Sequence, residues 1–395
     1  MEQNYKMVAK TLLGFEELLA KELLRLGAKN IQAGQRMVSF EGDKGFMYKA
    51  NLALRTAIKI LKPIHTCNVY NQESLYKGVF QVDWTQYMKP EHTFAIDSVV
   101  STEHFNNSQF VTLKAKDAIV DKFRNLFGVR PSISKENPDI RINIHIHKEK
   151  CTISLDSSGA SLHHRGYRTA TNIAPINEVL AAGLIMLSDW DGQCAFLDPM
   201  CGSGTILIEA AMIACNVPAN INRESFAFEK WLDFDAELYK VIYDNLLKKI
   251  RDAHFPIKGY DKAPSAVLKA LDNVRNANFE EFITVEQKDF FESEKENEHN
   301  LHILFNPPYD ERLSIDTEKF YESIGDTLKK KYTNTNAWVF TGNVDALKFV
   351  GLKTSKRIAL LNGSLDARLV KYEMYAGTKK QEKKREEETL GTSEK

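Results

Sequence analysis

A glycine pair, three aspartates and one asparagine are the residues of this 395-residue chain whose types and spacing could do chemistry. Gly202 and Gly204 follow a short apolar run, Ala195-Phe196-Leu197, that ends in Asp198-Pro199. A helix-favouring run, Ile206 to Ala211, starts directly after Thr205. This is the pattern of a buried parallel strand, a tight turn and a helix. Glycine is needed where a ligand lies against bare backbone, and the start of a helix offers that ligand unpaired N–H groups. Far downstream, Asn306-Pro307-Pro308-Tyr309 closes another apolar run, His302 to Phe305. An amide oxygen, a carbonyl whose direction prolines fix and an aromatic ring can together hold and stack a planar amine. Asp198, Asp261, Asp289 and Asn306 each fall at the end of a predicted strand. The carboxyl ends of one sheet could therefore collect all four in one pocket.

Two rival readings of the glycine turn fail on spacing. A dinucleotide fingerprint needs a third glycine, but Ile206 and Leu207 follow Gly204. A phosphate-binding P-loop needs Gly-Lys-Ser/Thr, which is missing here. Cys201, inside the turn, reads as a small packing residue, since no base stands near it in sequence.

The elements that must position these residues follow from periodicity. From residue 172 onward strands and helices alternate. Glu178 to Leu187 is helical, and strands are expected at 195–198, 256–261, 285–289, 302–305 and 337–340. A closing antiparallel hairpin spans 357–361 and 369–375. The alternation predicts an α/β fold with a doubly wound, mostly parallel Rossmann-like sheet. The acid Asp261 lies far beyond the glycines, so residues 217–254 read as a helical insertion in this domain. Trp231, Phe234, Leu238, Val241 and Leu246 are its packing residues.

Upstream, residues 5–62 form a small α/β unit. Phe15, Leu18, Leu19, Leu23 and Leu26 share one helical face ended by Gly27. A second helical stretch carries Tyr48, Leu52, Leu54 and Ile58. Residues 63–155 alternate strands with a helix over 111–127. In Ile140–His147 the isoleucines face inward, while Arg141, Asn143, His145 and His147 face outward. His145 and His147 share a face, but no third metal ligand is evident, and no metal is expected.

The 53 basic and 53 acidic residues balance, so no global charge argues for nucleic acid. A local excess does. Residues 101–170 hold 11 Lys/Arg against 7 Asp/Glu, with Lys114, Lys116, Lys122, Arg124, Arg130, Lys135 and Arg141 over the helix and the strands after it. The five cysteines are scattered without a CxxC pair and read as reduced thiols. No signal segment or membrane-spanning run is present, and a cytoplasmic monomer is expected.

The glycine turn Ala195 to Ala211 and Asn306 to Tyr309, in that order, resemble the class I S-adenosylmethionine-dependent methyltransferases that act on exocyclic or amide nitrogens. Val129 to Ile133, Asn137 to Ile140 and Cys151 to Asp156 resemble the THUMP domain, an RNA-binding module, preceded by its usual ferredoxin-like unit. Ser157 to Arg168 resembles the junction found in THUMP-containing RNA methyltransferases. The motifs, over roughly residues 5–376, are similar to those of the bacterial 23S ribosomal RNA guanine-N2 methyltransferases. The organisation this implies is a ferredoxin-like unit (1–62), a THUMP domain (63–156), a junction (157–171), a methyltransferase domain (172–376) and a charged tail (377–395). Some family members carry a second methyltransferase domain where this tail stands.

The resemblance implies S-adenosylmethionine as cofactor, held by Asp198, Met200, Gly202, Gly204, Thr205, Asp261, Asp289 and Asn306. Asp261 would take the ribose hydroxyls and Asp289 the adenine amine. Asn306, Pro307 and Tyr309 would present the target amine to the methyl group. Lys114, Lys116, Arg130, Lys135, Arg141, Arg165 and Arg168 would contact RNA. The family often has glycine after the tyrosine; Asp310 stands there instead, either contacting the base edge or replacing a turn glycine. Ribosomal RNA is the first substrate implied, with tRNA guanine-N2 and DNA adenine-N6 methylation as alternatives.

Overall fold

A computed structural model of the chain describes residues 4–168, 175–296, 300–308 and 316–375. The chain divides into two units, Met1–Gly166 with Asn220–Lys248, and Tyr167–Ala219 with Lys249–Lys395.

The first unit is built on one eight-stranded sheet. Its strands are β1 (Tyr5–Thr11), β2 (Lys29–Gly34), β3 (Met37–Gly42), β4 (Ala57–Asn68), β5 (Thr93–Ser101), β6 (Ser132–Ile133), β7 (Ile140–His147) and β8 (Lys150–Asp156), in the order β2-β3-β1-β4-β8-β7-β5-β6. β5 runs parallel to β6 and β7; the remaining pairs are antiparallel. β4 pairs with β1 through Ala57–Leu61 and with β8 through Leu61–Asn68. It runs across residues 62 and 63, so the ferredoxin-like and THUMP-like parts share a continuous sheet. Ile140, Ile142, Ile144 and Ile146 are fully buried, as period-2 alternation requires. Ile58 lies in β4 and not in the preceding helix, which ends at Ala53. The Glu22 carboxylate accepts the backbone N–H groups of Arg55 and Thr56, taking the donors that a longer helix would have used.

Residues 220–248 pack in this first unit, and do not form an insertion in the sheet domain that surrounds them in sequence. Asn220 donates its backbone N–H to the Leu52 carbonyl (3.0 Å) and its side-chain amide to the Asn51 carbonyl (2.8 Å). The Arg223 guanidinium donates to the carbonyls of Ser161, His164 and Ala160. Phe228, Phe234 and Tyr239 close around Tyr48. Each such aromatic pair contributes about 0.5–1.5 kcal/mol beyond its burial. Trp231 and Leu246 are buried as expected, but Val241 is 56% exposed.

The second unit carries β9 (Ala195–Asp198), β10 (Ile257–Asp261), β11 (Ile283–Gln287), β12 (Leu301–Phe305), β13 (Thr335–Thr341), β14 (Lys356–Asn362) and β15 (Leu365–Met374), in the order β11-β10-β9-β12-β13-β15-β14. β11, β10, β9, β12 and β13 are mutually parallel; β15 and β14 form the antiparallel hairpin at one edge. The chain builds outward from β9 to β11, then returns to β12 on the other side of β9. Strand order therefore reverses between β9 and β12, where ligands bind in open α/β sheets. Helices Glu178–Leu187, Thr205–Ala214, Pro264–Asn276 and Thr317–Lys331 connect and cover the strands. β11 ends two residues before Asp289, because Asp289 caps a short helical turn, Phe290–Glu292, by accepting the Phe291 N–H (2.9 Å).

Candidate active site

The carboxyl ends of β11, β10, β9 and β12 lie side by side, and each delivers one expected polar residue. Asp198 and Asp261 are the last residues of their strands. Asn306 directly follows β12, and Asp289 sits two residues past β11. Gly259 pairs with Asp198 across β10 and β9, which fixes Asp261 beside the start of the glycine turn.

The turn is held from both sides. Gly202 (φ 56°) and Gly204 (φ 80°) adopt the left-handed region that side chains disfavour. Gly202 donates its N–H to one Asp261 carboxylate oxygen (3.0 Å), and Ala263 donates to the other (2.9 Å). Each oxygen keeps a further lone pair for a ligand hydroxyl. Cys201 donates its N–H to the Tyr260 carbonyl (2.8 Å). Its side chain is a packing group, as expected. A Cβ on Gly259 would lie 3.1 Å from Cys201 Sγ and 2.3 Å from Leu207 Cδ1.

Asp198 is 1% exposed, and its carboxyl accepts the Met200 N–H at 3.1 Å. Burial pushes the Asp198 carboxyl up to about 8; the Met200 hydrogen bond opposes this and the Asp261 charge adds to it. Thr205, the first residue of its helix, is buried, and its hydroxyl accepts from Arg168 at 2.8 Å.

Asn306 carries the sharpest signal. Its Oδ1 is buried and has no hydrogen-bond partner among the described residues. Buried acceptors are nearly always satisfied, because leaving one empty costs about 1–3 kcal/mol. Pro307 beside it is buried. Tyr309 and Asp310 lie outside the described residues.

Two of the expected RNA contacts are committed to the protein interior. Arg165 is 1% exposed, and its guanidinium donates to the carbonyls of Leu162 (2.9 Å) and Arg55 (2.6 Å) and to Asn220 Oδ1 (3.1 Å). Arg168 pairs with the buried Glu178 at 3.0 Å while holding Thr205. Both read as charges in sequence but serve as braces. Arg130 and Lys135 are exposed. Lys114 lies over the Tyr76 ring at 5.1 Å, and Lys116 pairs with Asp117 at 3.0 Å. Arg141 pairs with Asp97 (3.0 Å) and donates to the Lys135 carbonyl (2.9 Å), bracing the exposed loop before β7. Among the described residues no group of three or more His/Cys/Asp/Glu is placed to hold a metal ion.

Sequence reasoning missed Asn273 and Gly259. The Asn273 side chain, 1% exposed, donates to the Ser203 carbonyl (3.0 Å) and so fixes the glycine turn from the next helix. Its signal was a polar residue within the apolar stripe Ala266, Val267, Ala270, Val274. Gly259, inside a strand, marks the close approach of the turn and helix to β10.

Comparison with known proteins agrees with this geometry. Residues 165–371 match the RMKL-like methyltransferase domain, residues 69–156 the THUMP domain and residues 6–61 the RlmL ferredoxin-like domain. The chain is 36% identical over 365 residues to a putative RNA methyltransferase of Synechocystis sp., covering 92% of this chain and 95% of that protein. It is 36% identical over 373 residues to the ribosomal RNA large subunit methyltransferase K/L of Cellvibrio japonicus, covering 91% of this chain. It spans only 50% of that relative's length. A crystal structure of a putative methyltransferase complexed with SAH superimposes with a TM-score of 0.84 at 30% identity, covering 96% of this chain and all of that one.

Proposed function

The chain belongs to the RMKL-like methyltransferase family, and on that premise we propose that it transfers a methyl group from S-adenosylmethionine to the exocyclic N2 of a guanine in large-subunit (23S) ribosomal RNA. The observation that carries the reading is the buried Asn306 Oδ1, without a hydrogen-bond partner among the described residues, at the switch point of the sheet. An empty acceptor there suits a substrate N–H.

S-adenosylmethionine supplies, when bound, a methyl group on a positively charged sulfur. The residues present fit it: a left-handed glycine turn with bare backbone, and a carboxylate at Asp261 with lone pairs left for ribose hydroxyls. Asp289 takes the adenine amine, while Asp198, Met200 and Thr205 form the floor beside the turn. The lone pair of guanine N2 is delocalised into the ring, so the nitrogen is a weak nucleophile. Asn306 Oδ1 and the Pro307 carbonyl accept its two N–H groups, orient the nitrogen and meet the positive charge that develops on it. Tyr309 offers a ring on which an extruded base stacks. The THUMP-containing unit captures the RNA backbone through Lys114, Lys116, Arg130, Lys135 and Arg141.

The test is transfer of labelled methyl groups to unmodified 23S ribosomal RNA fragments, followed by nucleoside digestion and mass analysis. N2-methylguanosine is expected. Label in N6-methyladenosine would overturn the guanine assignment, and label confined to added tRNA would overturn the ribosomal one.

A further inference from the structure

We propose that Cys67 and Cys151 form a dithiol that a hydroperoxide closes into a cross-strand disulfide, making the sheet of the first unit a redox modification site. Cys67 on β4 and Cys151 on β8 are direct partners in the antiparallel register, so their side chains leave the same face of the sheet. Two residues further along, Val69 donates its N–H to the Glu149 carbonyl (2.8 Å). Ladder hydrogen bonds recur at every second pair, which makes Cys67–Cys151 a hydrogen-bonded pair with a Cα separation of about 5.5 Å. Disulfides span about 4.4–6.8 Å between Cα atoms, a range this pair meets; their Cβ atoms, about 5.5 Å apart in a hydrogen-bonded pair, must come to about 3.5–4.5 Å, so closure draws the two strands locally together.

The two thiols differ in the way a sensor pair requires. Cys67 is half-buried and Cys151 is fully buried. Interaction with the Cys151 thiol holds Cys67 below the ordinary cysteine value, whereas that interaction together with burial pushes Cys151 up. The less buried residue thus carries the better nucleophile, and the protected one stands beside it to resolve the product. Gly78, on helix Gln72–Gln81, leaves the Cys67 sulfur its room: a Cβ there would lie 2.4 Å from Sγ. Cys194, Cys201 and Cys215 belong to the other unit, and none of them has a cysteine as its strand partner.

The chemistry balances with a hydroperoxide as the two-electron oxidant. The Cys67 thiolate attacks the peroxide oxygen, forming a sulfenic acid and releasing hydroxide or alkoxide. The Cys151 sulfur then attacks the Cys67 sulfur, the S–O bond breaks, and the thiol proton leaves with the hydroxyl as water.

The experiment treats the full chain with hydrogen peroxide, blocks remaining thiols with iodoacetamide and maps peptides by mass spectrometry without reduction. A Cys67–Cys151 linked peptide is expected, restored to two free thiols by dithiothreitol. In Cys151→Ser the linkage should vanish, and dimedone should trap a sulfenic acid on Cys67. In Cys67→Ser, Cys151 should stay reduced at the same dose. If both cysteines of the wild-type chain remain open to alkylation after unfolding, or if either links to another cysteine in preference, the proposal is overturned.

Discussion

Replacing Asn306 by alanine separates a functional polar group from a structural one. A structural asparagine is satisfied by the protein, and its removal leaves partners behind and lowers stability. Asn306 Oδ1 is buried with no partner among the described residues, so the folded state bears its desolvation cost of about 1–3 kcal/mol without return. Asn306→Ala should therefore leave the unfolding free energy of the ligand-free protein unchanged, or raise it by up to about 2 kcal/mol. The same change removes an acceptor aligned in advance with the charge that develops on the amine. By analogy with loss of one oxyanion-hole donor, the single-turnover rate of methyl transfer should fall by about 100- to 1000-fold. Cofactor affinity should change by less than about 1 kcal/mol, since the oxygen addresses the target base. Denaturant titration, calorimetry with S-adenosylmethionine and single-turnover transfer to ribosomal RNA fragments measure the three quantities. A variant that loses several kcal/mol of stability yet transfers methyl at the wild-type rate would refute the reasoning and make Asn306 a strand-end brace.

Asp261→Ala removes the acceptor of the Gly202 and Ala263 N–H groups as well as the ribose contact, so calorimetry should show cofactor binding weakened by about 1.5–3 kcal/mol, with a loss of stability in the free protein. Asp198 has a folded-state pKa of about 8, above the ordinary carboxylate value, so the folded protein holds a proton that the unfolded chain releases. Its stabilising contribution is full below about pH 4 and is lost as pH rises toward 8, by at most about 1.4 kcal/mol per unit. Denaturant midpoints of the ligand-free protein across that window should fall with pH, and Asp198→Asn should flatten the trend. Arg130→Ala with Lys135→Ala should weaken RNA binding at low salt. The slope of log affinity against log salt should shrink by about 0.7 for each phosphate of single-stranded RNA that the double variant no longer neutralises. An unchanged slope in filter binding would remove those two residues from the RNA face.

Local pattern alone determined a large part of this protein. The strand, turn and helix start over Ala195–Ala211 were legible because a glycine pair between two apolar runs has few other uses. Asp198 and Asp261 at strand ends followed from counting alternation, whereas Asp289 lies two residues past its strand. The same counting predicted the parallel sheet and its closing hairpin, since periodicity is a property of neighbours in sequence. The family resemblance added the THUMP and ferredoxin-like parts. What the sequence left open depended on partners far away along the chain. Residues 220–248 read as part of the domain that brackets them, but their aromatic side chains find Tyr48, and Asn220 finds the carbonyls of Asn51 and Leu52. Arg165 and Arg168 had the composition of a phosphate contact; carbonyls, a buried carboxylate and a buried hydroxyl decided otherwise. Asn306 was a candidate by its motif, yet only folding could leave its oxygen buried and without a partner among the described residues. Burial, electrostatic environment and the pairing of distant polar groups arise from which surfaces meet, and no window of neighbouring residues contains that information.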